Sequence, residues 1–173
     1  MKKAVVILGL IIGLMSCTQT KYFVKSESDL SQIDWEHNIL NYIPLLDSDL
    51  INSSILDSTY NLIGLRKYSK LNKYLSNVQS ENSDFYLAKT LYFISKSEYQ
   101  EASKYLRKIS GQQYTLLKDL LFVDLSYELA RQNSSMNYKK FLQDYQTIID
   151  KYSDNESLRK IITLRTRYIR YNY

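Results

Sequence analysis

The sequence predicts an all-α protein built from stacked antiparallel helix pairs, about eight helices in total. Three observations carry this. Tyr68-Ser69-Lys70-Leu71-Asn72-Lys73-Tyr74-Leu75-Ser76-Asn77-Val78 aligns with Tyr99-Gln100-Glu101-Ala102-Ser103-Lys104-Tyr105-Leu106-Arg107-Lys108-Ile109 at an offset of 31 residues, which also pairs Ile63 with Ile94. Within each copy the apolar positions fall at the spacing of one helical face. Pro44 is the only proline and the chain has only four glycines, too little turn chemistry for a β-rich fold.

The helical pattern starts near Ser28, and one helix is expected before Pro44. Three helix pairs then follow. Their second helices carry apolar residues at matching places: Tyr68, Leu71, Leu75 and Val78; Tyr99, Ala102, Leu106 and Ile109; and, about 39 residues further on, Tyr138, Phe141, Tyr145 and Ile148. Asp84 to Ser95 is apolar on nearly every side, as expected of a central helix covered from both directions. Ser97 with Gln100 forms a capping box for the next helix. From Gln113 to Arg131 the expected buried stripe is Leu116, Leu120, Val123, Tyr127 and Ala130. Asn133-Ser134-Ser135 breaks that helix and caps into the next. A second capping box, Ser153 with Glu156, opens the last helix. A helical bundle without a true repeat is the alternative architecture.

That last helix, Leu158 to Tyr173, carries an apolar stripe of Leu158, Ile161, Ile162, Leu164, Tyr168 and Ile169, with Arg159, Thr163, Arg167 and Arg170 on the other side. The formal net charge is +5, but it is unevenly spread: Arg159, Lys160, Arg165, Arg167 and Arg170 lie in the last 16 positions, where there is no acid. The body of the chain is close to neutral, which does not suggest nucleic acid. The basic end is read either as a helix that closes the stack or as a surface for an acidic partner or anionic lipid, with Arg165, Arg167 and Arg170 as its candidate contacts.

Seventeen tyrosines stand against five phenylalanines. Tyrosine enriches binding surfaces, but most of these lie on the apolar stripes and are expected to fill the core. Catalytic chemistry is sparse. His37 is the only histidine, which rules out a His-Glu-x-x-His metal site, and no nucleophile elbow, Walker loop or dinucleotide fingerprint is present. Asp34 and His37, at i, i+3, read as surface polarity. The acidic pairs Asp47/Asp49 and Glu98/Glu101 sit where helices begin, as the helix dipole favours. The expectation is a protein that is not an enzyme and takes no cofactor and no metal.

The N-terminus gives an address. Met1-Lys2-Lys3 precedes an apolar run from Ala4 to Met15, then Ser16 and the only cysteine, Cys17. Positive charge, a short apolar stretch and a small residue form a secretory signal, too short to span a bilayer comfortably. Leu14-Met15-Ser16-Cys17 resembles a bacterial lipobox, which implies cleavage before Cys17 and acylation of that cysteine. The organisation is then a signal peptide over 1–16, a lipidated cysteine and polar tether over 17–27, and a helical domain over 28–173. Fully extended, the tether reaches roughly 30 Å.

The helix pairs resemble the tetratricopeptide repeat family, most strongly over Asp84–Ile109. Ala102 matches the small residue that lets paired helices close, and Tyr86, Phe93, Tyr99, Leu106 and Ile109 match the large ones. The family's closing proline is absent, and Leu71 replaces the small residue in the first copy. The resemblance implies a helical-repeat adaptor for an envelope protein or peptide segment, held to a membrane through Cys17, in an outer-membrane or other envelope setting. In architecture it resembles the lipoprotein component of the outer-membrane β-barrel assembly machinery. The alternative is a surface lipoprotein binding a host or environmental ligand. The oligomeric state is left open.

Overall fold

A computed structural model of the chain describes residues 53–171, and all regular structure among them is helical. The signal segment, Cys17, the tether, the helix before Pro44, the Asp34/His37 pair and the Asp47/Asp49 pair lie outside the described residues. Seven α-helices follow in order: α1 (Ser54–Gly64), α2 (Tyr68–Ser76), α3 (Ser83–Ser95), α4 (Tyr99–Leu106), α5 (Thr115–Gln132), α6 (Tyr138–Lys151) and α7 (Glu156–Tyr171). Each packs on the next, and α1 also lies against α3.

The second helices bury the positions that recur in the sequence. Leu71 and Leu75 of α2, Ala102 and Leu106 of α4 with the following Ile109, and Phe141, Tyr145 and Ile148 of α6 are all buried. Tyr68, Tyr99 and Tyr138, which open the three helices, pack against that core while partly exposed. Helix α3 buries Phe85, Leu87, Ala88, Leu91, Tyr92 and Ile94 around its circumference, because α1, α2 and α4 all touch it. Two threonines share this interior at no hydrogen-bonding cost: Thr59 donates to the Ile55 carbonyl at 2.7 Å and Thr90 to that of Tyr86 at 2.9 Å.

The turns inside the pairs also recur. Arg66, Ser97 and Ser134 each take a left-handed backbone conformation, with φ of 54°, 59° and 53°. In each turn that residue's N–H reaches back to the carbonyl three residues earlier, and the next N–H to the one five earlier: Arg66 to Ile63 and Lys67 to Leu62, Ser97 to Ile94 and Glu98 to Phe93, Ser134 to Arg131 and Ser135 to Ala130. This double bond closes the C-terminus of a helix and is usually built on glycine. Here it is built three times without one. The second helix starts two residues beyond Arg66 and Ser97 but four beyond Ser134, and α5 has 18 residues against 13 in α3; together these account for most of the looser spacing of the third copy.

These turns overturn the expected caps. Ser97 closes α3 instead of opening α4, and Glu98, at the N-cap of α4, makes no side-chain capping bond. Asparagines cap instead, their side-chain oxygens accepting from the backbone: Asn82 from Phe85 at 2.9 Å, Asn137 from Lys140 at 3.1 Å, and Asn155 from Leu158 at 2.8 Å. The last displaces the expected Ser153–Glu156 box. Between α4 and α5 the chain turns at Gly111, whose φ of 105° disfavours any side chain. The loop is pinned to the start of α3: the Ser83 hydroxyl donates to the Ser110 carbonyl at 2.7 Å, and Tyr114 donates to Asp84 at 2.6 Å.

Helix α5 buries a wider face than the expected stripe. Leu117, Leu120, Leu121, Leu125 and Tyr127 are buried together with Asp124, whereas Leu116, Val123 and Ala130 are only partly so. The cause is Asp124: a carboxylate at the centre of the buried face breaks the apolar pattern by which such a face is recognised.

Candidate functional site

Three surfaces bear on function: the underside of α7, its outward face, and the groove between α5 and α6.

On the underside, Leu158, Ile161, Ile162 and Arg165 follow one another at 0, 3, 4 and 7, so the fourth buried position of the stripe is an arginine. Arg165 is only 3 % exposed. Its Nε donates to Asp124 Oδ1 and its Nη2 to Glu128 Oε1, both at 3.1 Å. The guanidinium lies 5.1 Å over the ring of Tyr127, the stacking for which arginine suits better than lysine. Tyr145 of α6 donates its hydroxyl to the same Asp124 oxygen, and Arg131 holds Glu128 from outside at 2.9 Å. Burial, reinforced by the charge of Asp124, pushes the Tyr145 hydroxyl well above its ordinary pKa, so it stays protonated and donating.

This cluster joins α5, α6 and α7. The guanidinium is bound at its edges by two carboxylates and on its face by a ring, so it can fasten a helix but cannot greet a partner. Arg165 is thereby withdrawn from the expected contact set. The sequence did carry a signal for the cluster: Asp124 and Glu128, at i, i+4, share a helical face with Leu117 and Leu121, and Arg165 keeps register with Leu158, Ile161 and Ile162.

The opposite face of α7 carries Arg159, Lys160, Thr163, Arg167 and Arg170, all exposed. Glu156, the only acid in the helix, is 3.2 Å from Lys160. Arg167 and Arg170, with Thr163 and Thr166, line a shallow depression of about 330 Å³. The structure therefore divides the basic residues by side, with Arg165 inside and Arg167 and Arg170 outside.

The groove between α5 and α6, of about 360 Å³, is a feature the sequence reading missed. Phe122 stands at its edge, 58 % exposed, beside Val123 and Ser126; Thr147 and Ile148 form the other wall. Ion pairs flank it, Lys140–Asp144 at 2.8 Å and Lys151–Asp119 at 2.6 Å, and Tyr152 also donates to Asp119 at 2.6 Å. An exposed aromatic ring over an apolar floor with a charged rim suits an apolar anchor from another chain. Phe122 went unseen because it sits one turn from buried Leu125 and reads as an ordinary core position.

The described tyrosines are divided between the interior and its edge. Tyr60, Tyr92, Tyr114, Tyr127 and Tyr145 are buried, and the other tyrosines with described side chains are partly buried. Among the described residues no group of three His, Cys, Asp or Glu side chains could hold a metal ion, and no helix is long and apolar enough to cross a membrane.

No protein-family model matches the chain, and no curated protein or solved structure matches it either.

Proposed function

We propose that this protein is a lipid-anchored adaptor of a bacterial cell envelope, in which helix pairs of tetratricopeptide type present a groove to a segment of an envelope protein. The observation that carries this reading is the α5–α6 groove with Phe122 at its rim. The lipobox-like Leu14-Met15-Ser16-Cys17 supports the anchor, and the recurring helices and turns support the repeat. The mechanism is one of placement. Acyl chains on Cys17 fix the body at a membrane, and the tether gives it reach. The stacked pairs hold α5 and α6 rigidly, so little ordering is needed when a partner's apolar side chain covers Phe122.

Two measurements test this. The intact mass of the protein isolated from membranes should show a chain beginning at Cys17 and carrying acyl groups; an unmodified chain retaining residues 1–16 contradicts the anchor. Affinity purification from detergent-solubilised membranes should recover an envelope protein that Phe122→Ala loses. Covering a ring of this size is worth about 2 kcal/mol, or some thirtyfold in affinity. Recovery of the lipoprotein alone, or equal recovery by the variant, contradicts the adaptor.

A further inference from the structure

The outward face of α7 is a ridge of cations. Arg159, Lys160, Arg167 and Arg170 lie opposite Leu158, Ile161, Ile162 and Arg165 and run about 16 Å along the helix at 1.5 Å per residue. Lys160 is engaged by Glu156 at 3.2 Å, and Arg159 donates to the Ser153 carbonyl at 2.6 Å. Arg167 and Arg170 project at the far end. The nearby threonine hydroxyls are spent on backbone: Thr163 donates to the Arg159 carbonyl at 2.8 Å and Thr166 to that of Thr163 at 3.1 Å. At the far end, attraction therefore comes from the guanidinium groups of Arg167 and Arg170.

We propose that the Arg167–Arg170 end of α7 docks against anionic phospholipid headgroups, fixing which side of the tethered body faces the membrane. This rests on the lipid-anchored reading, because anchoring at Cys17 keeps the body within tether length of such a surface. The shape of the ridge favours headgroups over an acidic polypeptide. Among the described residues the depression on the ridge is lined only by residues of α7, so a peptide would have one wall to lie against. A plane of phosphates needs no second wall. Guanidinium pairs with phosphate, as with carboxylate, through two parallel hydrogen bonds, so shape decides between them. The buried Arg165 cluster ties α7 to α5, with Tyr145 of α6 donating into it, so docking the ridge orients the body.

The test is competition of the full-length protein between neutral phosphatidylcholine vesicles and vesicles containing phosphatidylglycerol. The anchor contributes equally to both populations, so the partition ratio reads headgroup charge. Arg167→Gln with Arg170→Gln should reduce the preference for anionic vesicles by roughly thirtyfold, about fivefold per arginine. Molar salt should reduce it similarly. Arg167→Lys with Arg170→Lys should retain most of it, and thermal unfolding of the glutamine variant should match the wild type. An unchanged ratio in the glutamine variant overturns the proposal. So does a variant that loses binding to a polyglutamate peptide while keeping its vesicle preference, which would assign the ridge to an acidic polypeptide. The mass of the N-terminus decides the anchor separately, so failure of the two readings can be told apart.

Discussion

The α1–α4 half and the α5–α7 half solve the same packing problem with different chemistry. In the first half the interior is apolar, and its buried threonine hydroxyls, of Thr59 and Thr90, bond to their own helix. In the second half the interior holds Asp124 and Arg165, with Glu128 beside them and Tyr145 donating into the cluster. Apolar burial is non-directional and tolerates small shifts. A buried ion pair demands one geometry and is costly to leave half made. The last helix, which among the described residues packs on α6 and reaches α5 through Arg165, is thus oriented by charge as well as by the buried Leu158, Ile161 and Ile162.

The strongest way to break this contrast is Arg165→Met. It leaves two carboxylates facing an apolar chain and should cost about 3–5 kcal/mol, read by urea unfolding. Hydrogen exchange should show α7 opening first, with α1–α4 little affected. A loss spread evenly over all seven helices would mean that the halves are not distinct.

A smaller effect comes with alkali. The raised pKa of Tyr145 means that the folded state keeps its proton at a pH where the unfolded chain, near the ordinary value of 10.0, gives it up. The stabilisation is complete below about pH 10 and is lost as pH rises towards the folded value, at about 1.4 kcal/mol per pH unit. Tyr60, raised by burial alone, adds a share from the first half. Tyr145→Phe should flatten the decline of the urea midpoint between pH 10 and 11, leaving the part due to other tyrosines held above the ordinary value, such as Tyr60 and Tyr152. An unaltered slope would show that Tyr145 ionises as freely folded as unfolded.

What the sequence could and could not disclose follows the same division. Wherever helices are held by apolar side chains, periodicity located the buried face, from Leu71 and Leu75 through Ala102 and Leu106 to Phe141 and Tyr145. It faltered on α5 because Asp124 looks like a surface residue until its partner, 41 positions away, is known. Arg165 was misplaced for the same reason: a basic residue near a basic C-terminus reads as solvated, and only register with Ile161 and Ile162 betrays it. The capping serines were misassigned because Ser97 satisfies two signals, an N-cap and a helix stop, and the chain uses the second. The groove beside Phe122 has no local signature, since it arises from the spacing of two helices.

The smallest effect concerns the turns. Ser97→Gly relieves a left-handed serine at the end of α3 and should stabilise by about 0.5–1 kcal/mol after the added freedom of the unfolded chain is counted. A thermal melt reads the gain. A loss would mean that the serine side chain contributes more to the turn than its backbone conformation costs.

The adaptor reading is tested most directly by photo-crosslinking in intact cells, with the crosslinker placed in turn at Ser126, inside the α5–α6 groove, and at Asn72, on the exposed side of α2. One envelope protein should be captured from position 126 and not from position 72, and its capture should disappear with Phe122→Ala. Capture of the same proteins from both positions, or capture at 126 that survives Phe122→Ala, would contradict it.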